Sequence, residues 1–576
     1  MVIAAGHRRD TGLALALLLV TFLAYLPAIE GEFIWDDDDY VRDNHTLRSL
    51  EGLGRIWFEL GATRQYYPAV HTSFWLEYQL WGLNPTGYHI VNILLHTLVA
   101  ALLWLVLRKL AVQGSWVAAA IFALHPVHVE SVAWITERKN VLSGVFYLGA
   151  AWTYLHWSLA DYRKRHLYTL SLLLFVAALL AKTVTCTLPA ALLLVLWWQR
   201  GGLAAADWRR QVPFFALGIG FGLLTLWMEK TSVGAWGKEW ELSLIERFLV
   251  AGRALWFYAE KLVWPLPLSF VYPRWQLDSG AWEQYLFPLA ALLVAAGLWR
   301  GRHWWGRGPL TGVLFFAGTL FPALGFFAVY PMRYSFVADH FQYLASIGLI
   351  VLATAAAVRL GRAWNRLGKG LLVVLLVVLS SFTWRQAAVY LDLETLWRDT
   401  IRKNPAAWLA HNNLGNVLKQ KGQLEAALDH FRQAAKLKPD AARIQVNIGD
   451  VLAALKRGDA ALPHYHKALE LNPRYLKGYV NLGNLFYGQG HLDKALHYYR
   501  RAVEINPHFA EAHNNLGSAL VQKRQLPQAL AHYRKAVEIN PQFASAHKNL
   551  GLTLKAAGKL VEARKHLRLA RQLERR

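Results

Sequence analysis

The sequence predicts an all-α protein in two parts: a polytopic transmembrane helical domain of about 11 spans, followed by an α-solenoid. Three observations carry that prediction. From Thr11 to about Ser381 the chain runs in long apolar blocks, and after Asp392 it reads as amphipathic helices. The second stretch repeats itself with a fixed period of 34 residues. The positive charge of the first stretch gathers in short connectors between apolar blocks, the pattern that orients membrane helices. The implied boundaries are a membrane domain over 1–385, a connector with a partial repeat over 386–405, and a repeat array over 406–576.

Composition agrees with a membrane body. Hydrophobic residues make up 55% of the 576, and the 26 Trp and 24 Tyr suit the water–lipid interface. The net charge of +24 would suit nucleic acid, but its position in loops between apolar segments assigns it to orientation and argues against that partner. The single cysteine, Cys186, excludes an intramolecular disulfide and any cysteine-based metal cluster.

The first apolar block, Thr11–Ile29, follows His7-Arg8-Arg9 and lacks a small-residue cleavage exit, so it reads as a retained signal anchor. Further spans are predicted at Tyr88–Leu107, Trp116–Glu130, Val141–Leu159, Leu167–Ala181, Thr183–Trp198 and Val212–Met228. Four more follow at Tyr285–Trp299, Leu310–Tyr330, Phe341–Val358 and Leu371–Thr383. The basic connectors are Arg108-Lys109, Arg163-Lys164-Arg165, Arg209-Arg210, Arg300 to Arg307 and Arg359 to Lys369. Phe248–Trp264 decides the topology, because Arg253, Glu260 and Lys261 share one helical face. A charged stripe costs several kcal/mol in hydrocarbon, so this segment is expected to be interfacial or re-entrant. With it excluded, every basic connector falls on the cytoplasmic side with the N-terminus, and the acidic loop Glu30–Asp43 and the repeat array fall on the other.

In the array, Leu414-Gly415, Ile448-Gly449, Leu482-Gly483, Leu516-Gly517 and Leu550-Gly551 share one register. Pro405, Pro439, Pro473, Pro507 and Pro541 share a second, and Ala427, Ala461, Ala495, Ala529 and Ala563 a third. This is the tetratricopeptide (TPR) signature, two helices per repeat. Gly and Ala permit close helix approach, and Phe431, Tyr465, Tyr499 and Tyr533 fill the gap. The last repeat has Leu567 in the aromatic position and ends in the basic Arg568–Arg576, a solvated cap. Asn413, Asn447, Asn481, Asn515 and Asn549 precede each Leu-Gly or Ile-Gly. Stacked, such amides form a ladder that can bond an extended acceptor peptide without demanding a sequence, and this ladder resembles the one in intracellular O-GlcNAc transferases. The alternative is that these Asn pack between helices. His411, His513 and His547 flank the ladder with no role assigned.

Phe33-Ile34-Trp35-Asp36-Asp37-Asp38-Asp39-Tyr40 follows the first span. Four adjacent carboxylates repel one another, which raises at least one pKa and suits a general base; the alternative is a solvated acidic loop. The stretch Phe33 to Asn44 resembles the first lumenal loop of the transmembrane-and-TPR protein O-mannosyltransferases. Further segments resemble that family in order. They are Asn84-Pro85-Thr86-Gly87-Tyr88-His89-Ile90-Val91-Asn92 with Leu95-His96, then His125-Pro126-Val127-His128-Val129-Glu130-Ser131-Val132-Ala133-Trp134 with Arg138-Lys139-Asn140, and Asp339-His340-Phe341-Gln342-Tyr343-Leu344-Ala345-Ser346. In the late motif His340 and Ala345 stand where animal members carry Arg and Pro. The resemblance implies the GT-C class of membrane glycosyltransferases. It also implies an inverting transfer of mannose from a polyprenyl-phosphate donor to Ser or Thr of a protein, with Asp36 or Asp37 as the base.

His125, His128 and Glu130 lie at the far-side end of the third predicted span, where ionisable residues are costly and usually functional. His125 and His128, three apart, are expected to share a helix face. With Glu130 or His96 as third ligand they suit a divalent metal; the other readings are satisfied interfacial histidines and contacts to sugar or phosphate. Arg138 and Lys139 carry positive charge on the side the orientation rule disfavours. A lipid-phosphate donor accounts for them, as does a lipid headgroup. Lys182 is a second candidate, and Arg333 and His340 are weaker ones.

Three functions compete: an O-glycosyltransferase whose array captures acceptors, a non-enzymatic TPR membrane scaffold for envelope or secretion complexes, and a GT-C enzyme acting on a glycan or lipid. The setting expected is a bacterial inner membrane with a periplasmic array, or an ER membrane with a lumenal one.

Overall fold

The computed structural model describes residues 2–158, 162–233, 240–361 and 365–574. Among them every regular element is a helix. The predicted span end at Leu159, the middle of the connector Arg359 to Lys369, and the last two arginines of the basic end lie outside the described residues. The chain divides into two compact units, Met1–Pro405 and Ala406–Arg576.

In the first unit each predicted span overlaps helix, but several are broken, and the predicted span Leu310–Tyr330 leaves helix over 324–329. Three helices are long and apolar enough to cross a membrane: Pro85–Lys109, Ala205–Thr231 and Leu367–Tyr390. A fourth qualifies if the pair Ser115–Leu124 and Pro126–Ala133, bent by 56°, counts as one span. The count of about 11 is therefore not reached by length and composition among the described residues. Arg165–Ala181, for example, has 17 residues, about 26 Å at 1.5 Å per residue, short of a hydrocarbon core of about 30 Å.

The bend overturns one expectation. Pro126 disfavours helical backbone at the residue before it. His125 is accordingly extended (ψ 125°), and the chain resumes in a 3-10 turn Pro126–His128. His125 and His128 thus do not share an α-helical face. The segment expected to be interfacial forms the helix Leu244–Val263, opened by a reciprocal Ser243–Glu246 cap. Two of its three stripe charges are held by protein, Arg253 over the rings of Trp275 and Phe287 and Lys261 buried near Leu266 O, while Glu260 is exposed.

The connector 386–405 clusters with the first unit. Its helix Leu393–Lys403 buries Trp397 (1% exposed), whose ring centroid is 5.0 Å from that of Trp35 and 5.5 Å from that of Phe270. Asn404 Nδ2 donates to Val271 O at 3.1 Å.

The second unit is five helix pairs in series, from Trp408–Gln420 with Leu424–Leu437 to Ala544–Ala556 with Leu560–Glu574. A Cβ added at Gly415, Gly449, Gly483 or Gly517 would lie 2.4–2.8 Å from the ring of Phe431, Tyr465, Tyr499 or Tyr533, and at Gly551 2.7 Å from Leu567. The glycine of each Leu-Gly or Ile-Gly is therefore the slot for the aromatic 16 residues on, and Leu567 fills the same slot in the last repeat. The five register alanines are fully or almost fully buried.

Candidate functional site

The acidic loop separates its four carboxylates. Trp35 takes a left-handed backbone (φ 50°), costly for a bulky residue, and the chain then winds into one wide turn, Asp38–Arg42. Asp37 is fully buried. Its Oδ1 accepts the Thr136 N–H at 2.8 Å and the Thr136 hydroxyl at 2.5 Å, and its Oδ2 accepts the Ile34 N–H at 2.9 Å. Burial pushes its pKa up to about 7 against those hydrogen bonds. Asp36 is only half-buried, 3.4 Å from Arg64 Nη1, and the same guanidinium pairs with Asp39. Loss of water raises the Asp36 pKa, with Arg64 and Lys139 opposing. Asp38 pairs with Arg42 at 2.8 Å. The loop thus holds one locked carboxylate, Asp37, next to a half-buried one, Asp36, both with a raised pKa, while Asp38 and Asp39 lie nearer the surface.

Beside it lies a cavity of about 840 Å³ with a polar end and a long apolar wall. Gln65, Glu137, Lys139, Asn140, Lys182, Glu229 and His340 line the polar end, and the wall comes from the helices Ala205–Met228 and Gly308–Leu320. Glu137 organises the cations: its Oε1 is 3.0 Å from Lys139 Nζ and its Oε2 is 3.2 Å from Lys182 Nζ. Burial pushes the Glu137 carboxyl up, but Lys139, Lys182 and His340 outweigh it and hold it well below the usual range. Lys182 Nζ also donates to Asn140 Oδ1 at 2.7 Å, and Asn140 Nδ2 donates to His340 O at 3.1 Å. His340 is set from behind by Glu130, whose Oε2 accepts the His340 N–H at 3.0 Å. A second polar chain closes the rim, from Tyr40 OH to Gln65 Oε1 at 2.6 Å and from Gln65 Nε2 to Glu229 Oε1 at 2.7 Å.

The structure brings together Lys139, Lys182 and His340 at the cavity, with Glu130 behind them, and leaves Asp36 off the cavity lining but within electrostatic reach of Lys139 and Glu137. Arg138, His125 and His128 it places elsewhere. Arg138 is fully buried, and its guanidinium engages Glu77 bidentately, Asn92 Oδ1, Ser73 Oγ and Tyr88 O. Its donors are taken up in the protein, so it braces the start of the helix Arg138–Ser158, which carries Lys139. His125 Nε2 faces Leu262 O at 3.0 Å, His128 Nδ1 faces Phe122 O at 2.7 Å, and His128 Nε2 faces Ser346 Oγ at 2.9 Å. His96 faces Tyr343 OH and Ala123 O. These donors do not fit a metal: among the described residues no three His, Cys, Asp or Glu side chains converge as one. Arg333 stacks against Trp240, Tyr330 and Tyr334. Sequence reasoning does not single out Arg64, Gln65, Glu137 or Glu229: Glu137 adjoins the Arg138-Lys139-Asn140 motif, and the other three lie in no motif.

In the array the ladder asparagines bond from repeat to repeat. Asn447 Nδ2 donates to Asn412 Oδ1 at 2.9 Å, Asn481 Nδ2 to Asp450 Oδ1 at 2.5 Å, Asn515 Nδ2 to Asn484 Oδ1 at 3.0 Å, and Asn549 Nδ2 to Asn514 Oδ1 at 2.9 Å. At the head of the ladder Asn413 Oδ1 accepts from Asn412, and its own amide nitrogen is buried without a hydrogen-bond partner.

Tetratricopeptide-repeat family models match residues 415–456, 440–507, 480–542 and 532–565. The chain is 28% identical over 503 residues to protein O-mannosyl-transferase TMTC1 of Homo sapiens, covering 75% of this chain and 56% of that one. It is 25% identical over 458 residues to protein O-mannosyl-transferase F38B6.6 of Caenorhabditis elegans, covering 74% and 62%. The chain therefore spans about three fifths of the length of these curated relatives. Among solved structures, that of the type IV pilus biogenesis factor PilW covers 32% of this chain and 83% of its own, at 25% identity and a TM-score of 0.28. Over 74–75% of its length the chain is thus similar to proteins named protein O-mannosyl-transferases, and within residues 415–565 it matches tetratricopeptide-repeat models.

Proposed function

We propose that this chain is a GT-C membrane glycosyltransferase that moves mannose from a polyprenyl-phosphate donor to a Ser or Thr hydroxyl of a protein, on the membrane face away from the cytoplasm. The observation that carries the reading is the cavity: an apolar wall suited to an isoprenoid chain, ending in Lys139, Lys182 and His340, with the half-buried carboxylate Asp36 within electrostatic reach of Lys139. Asp36 takes the proton from the acceptor hydroxyl, and the freed oxygen forms a bond to the anomeric carbon. The bond from that carbon to the phosphate oxygen breaks, with inversion. Polyprenyl phosphate leaves with the electron pair, its charge met by Lys139 and Lys182. The homologues' names support mannose and a protein acceptor. The asparagine ladder and its neighbours are proposed to hold the acceptor segment.

The test is transfer from polyprenyl-phosphate mannose to a Ser/Thr peptide by the full chain in proteoliposomes. Asp36→Asn is expected to lower kcat by about 10²–10⁴, the usual contribution of a general base, with donor KM little changed. Lys182→Ala is expected to raise donor KM. Undiminished transfer by folded Asp36→Asn protein would sink the assignment and favour the scaffold.

A further inference from the structure

The array carries a histidine pattern that the ladder does not use. His411 Nδ1 lies 3.1 Å from His430 Nδ1, His513 Nδ1 lies 3.0 Å from His532 Nδ1, and His547 Nδ1 lies 2.9 Å from His566 Nδ1. Each pair joins the first helix of a repeat to the second, with rings inclined by 35°, 31° and 19°. In the second repeat the same positions hold Gln445 and His464, with Gln445 Oε1 2.9 Å from His464 Nδ1.

In two of the pairs the protonation pattern follows from the surroundings. His513 Nε2 is 3.1 Å from Pro507 O, and His547 Nε2 is 3.1 Å from Pro541 O. A carbonyl oxygen only accepts, so the neutral ring carries its proton on Nε2 and presents the Nδ1 lone pair to the partner ring. A far-side N–H fixed on a backbone carbonyl is the arrangement that orients metal-ligating histidines. The partner rings of His430, His532 and His566 are half-exposed, so solvent reaches each pair.

We propose that these histidine pairs are two-nitrogen chelates for a divalent first-row transition-metal ion, copper(II) above others, one ion per pair with water in the remaining positions. Ligand nitrogens at about 2.0 Å lie about 2.8 Å apart in cis square-planar geometry and about 3.3 Å apart in a tetrahedron. The observed spacings of 2.9–3.1 Å fall between, and the proton that bridges the two Nδ1 atoms moves to the partner ring's Nε2 as the ion enters, leaving both Nδ1 lone pairs for the metal. Copper(II) heads the affinity order for imidazole sites and takes the planar arrangement. A bound ion would tie the two helices of a repeat together and stabilise the folded array.

The test titrates the full chain in detergent with copper(II) chloride, reading bound copper by equilibrium dialysis and nitrogen coordination by electron paramagnetic resonance. The triple variant H411Q/H513Q/H547Q copies the Gln445–His464 contact and keeps the helix pairing. It is expected to bind three fewer copper ions per chain than the unmodified protein and to lose the copper-induced rise in Tm. The set H430Q/H532Q/H566Q removes the same ions from the other helix, so a folding defect in one set leaves the other to decide. Equal copper binding by the unmodified protein and both variants overturns the proposal, as does the lack of any nitrogen-coordinated signal in the unmodified protein.

Discussion

Two neighbouring aspartates have taken opposite roles, and the reason is the left-handed kink at Trp35. Asp37 closes hydrogen bonds to Ile34 and Thr136, while Asp36 stays half-buried against Arg64. Four adjacent carboxylates in the sequence signalled that one would be perturbed; which one depended on a backbone dihedral that no residue type announces. Likewise Lys139, Lys182 and His340 were legible as candidates, but Glu137, which gathers the two lysines, became visible only through distances. The split predicts two different pH responses. As the proposed base, Asp36 must be ionised, and loss of water raises its pKa above the ordinary 3.8, so transfer should fall on acidification at a pH higher than a free carboxylate would give. Asp37 titrates near 7 in the fold and near 3.8 unfolded. Its contribution to stability is full below the lower value and is lost as pH rises through the upper one. Thermal unfolding should therefore show Tm falling between pH 4 and 7 through this residue. Asp37→Asn should flatten that slope, and should lower stability by about 1–3 kcal/mol by setting an amide against the Ile34 N–H. A slope unchanged in Asp37→Asn would remove Asp37 as its source.

At the scale of elements, legibility followed periodicity. The repeats were readable to the residue because each Leu-Gly or Ile-Gly sets a slot 16 residues ahead of the side chain that fills it. The membrane helices were readable as apolar stretches, but their breaks were not. Hydropathy is blind to the turn at His125-Pro126, where the chain bends by 56°, and so to the fate of both histidines. The slot itself gives a prediction. A Cβ at Gly483 would lie 2.4 Å from Tyr499 Cε1, closer than any relaxed contact. Tyr499 cannot retreat freely, because its hydroxyl donates to Asn484 Oδ1 at 2.7 Å, which also accepts from Asn515 of the next repeat. Gly483→Ala should therefore destabilise the array by about 1–3 kcal/mol through overpacking, although alanine favours helices. Gly488→Ala in the same helix, with nothing near its Cβ, should be neutral or stabilising by up to about 1 kcal/mol. The contrast in Tm checks the slot, and equal effects at the two sites would deny it.

For the whole molecule the open quantity is which loops share a compartment. The charge rule puts Arg163-Lys164-Arg165 and Arg300 to Arg307 inside, and the acidic loop and the array outside. That assignment rests on withholding Leu244–Val263 from the count of spans; its Arg253, Glu260 and Lys261 would be costly in lipid, and Arg253 and Lys261 are instead shielded by aromatic rings. Were the helix to cross, every later loop would change sides. Cysteine labelling decides this, because Cys186 is the only native cysteine and can be removed by Cys186→Ala. Single cysteines at the exposed positions Asp43, Lys164, His303 and Lys548 then report in sealed cells treated with a membrane-impermeant maleimide. Asp43→Cys and Lys548→Cys should label without permeabilisation, and Lys164→Cys and His303→Cys only after it. Labelling of His303→Cys together with Asp43→Cys would mean that Leu244–Val263 spans, and labelling of Lys548→Cys only after permeabilisation would separate the array from Asp36. A hydroxyl held by the ladder then could not reach that carboxylate, since neither moves across the bilayer during a turnover.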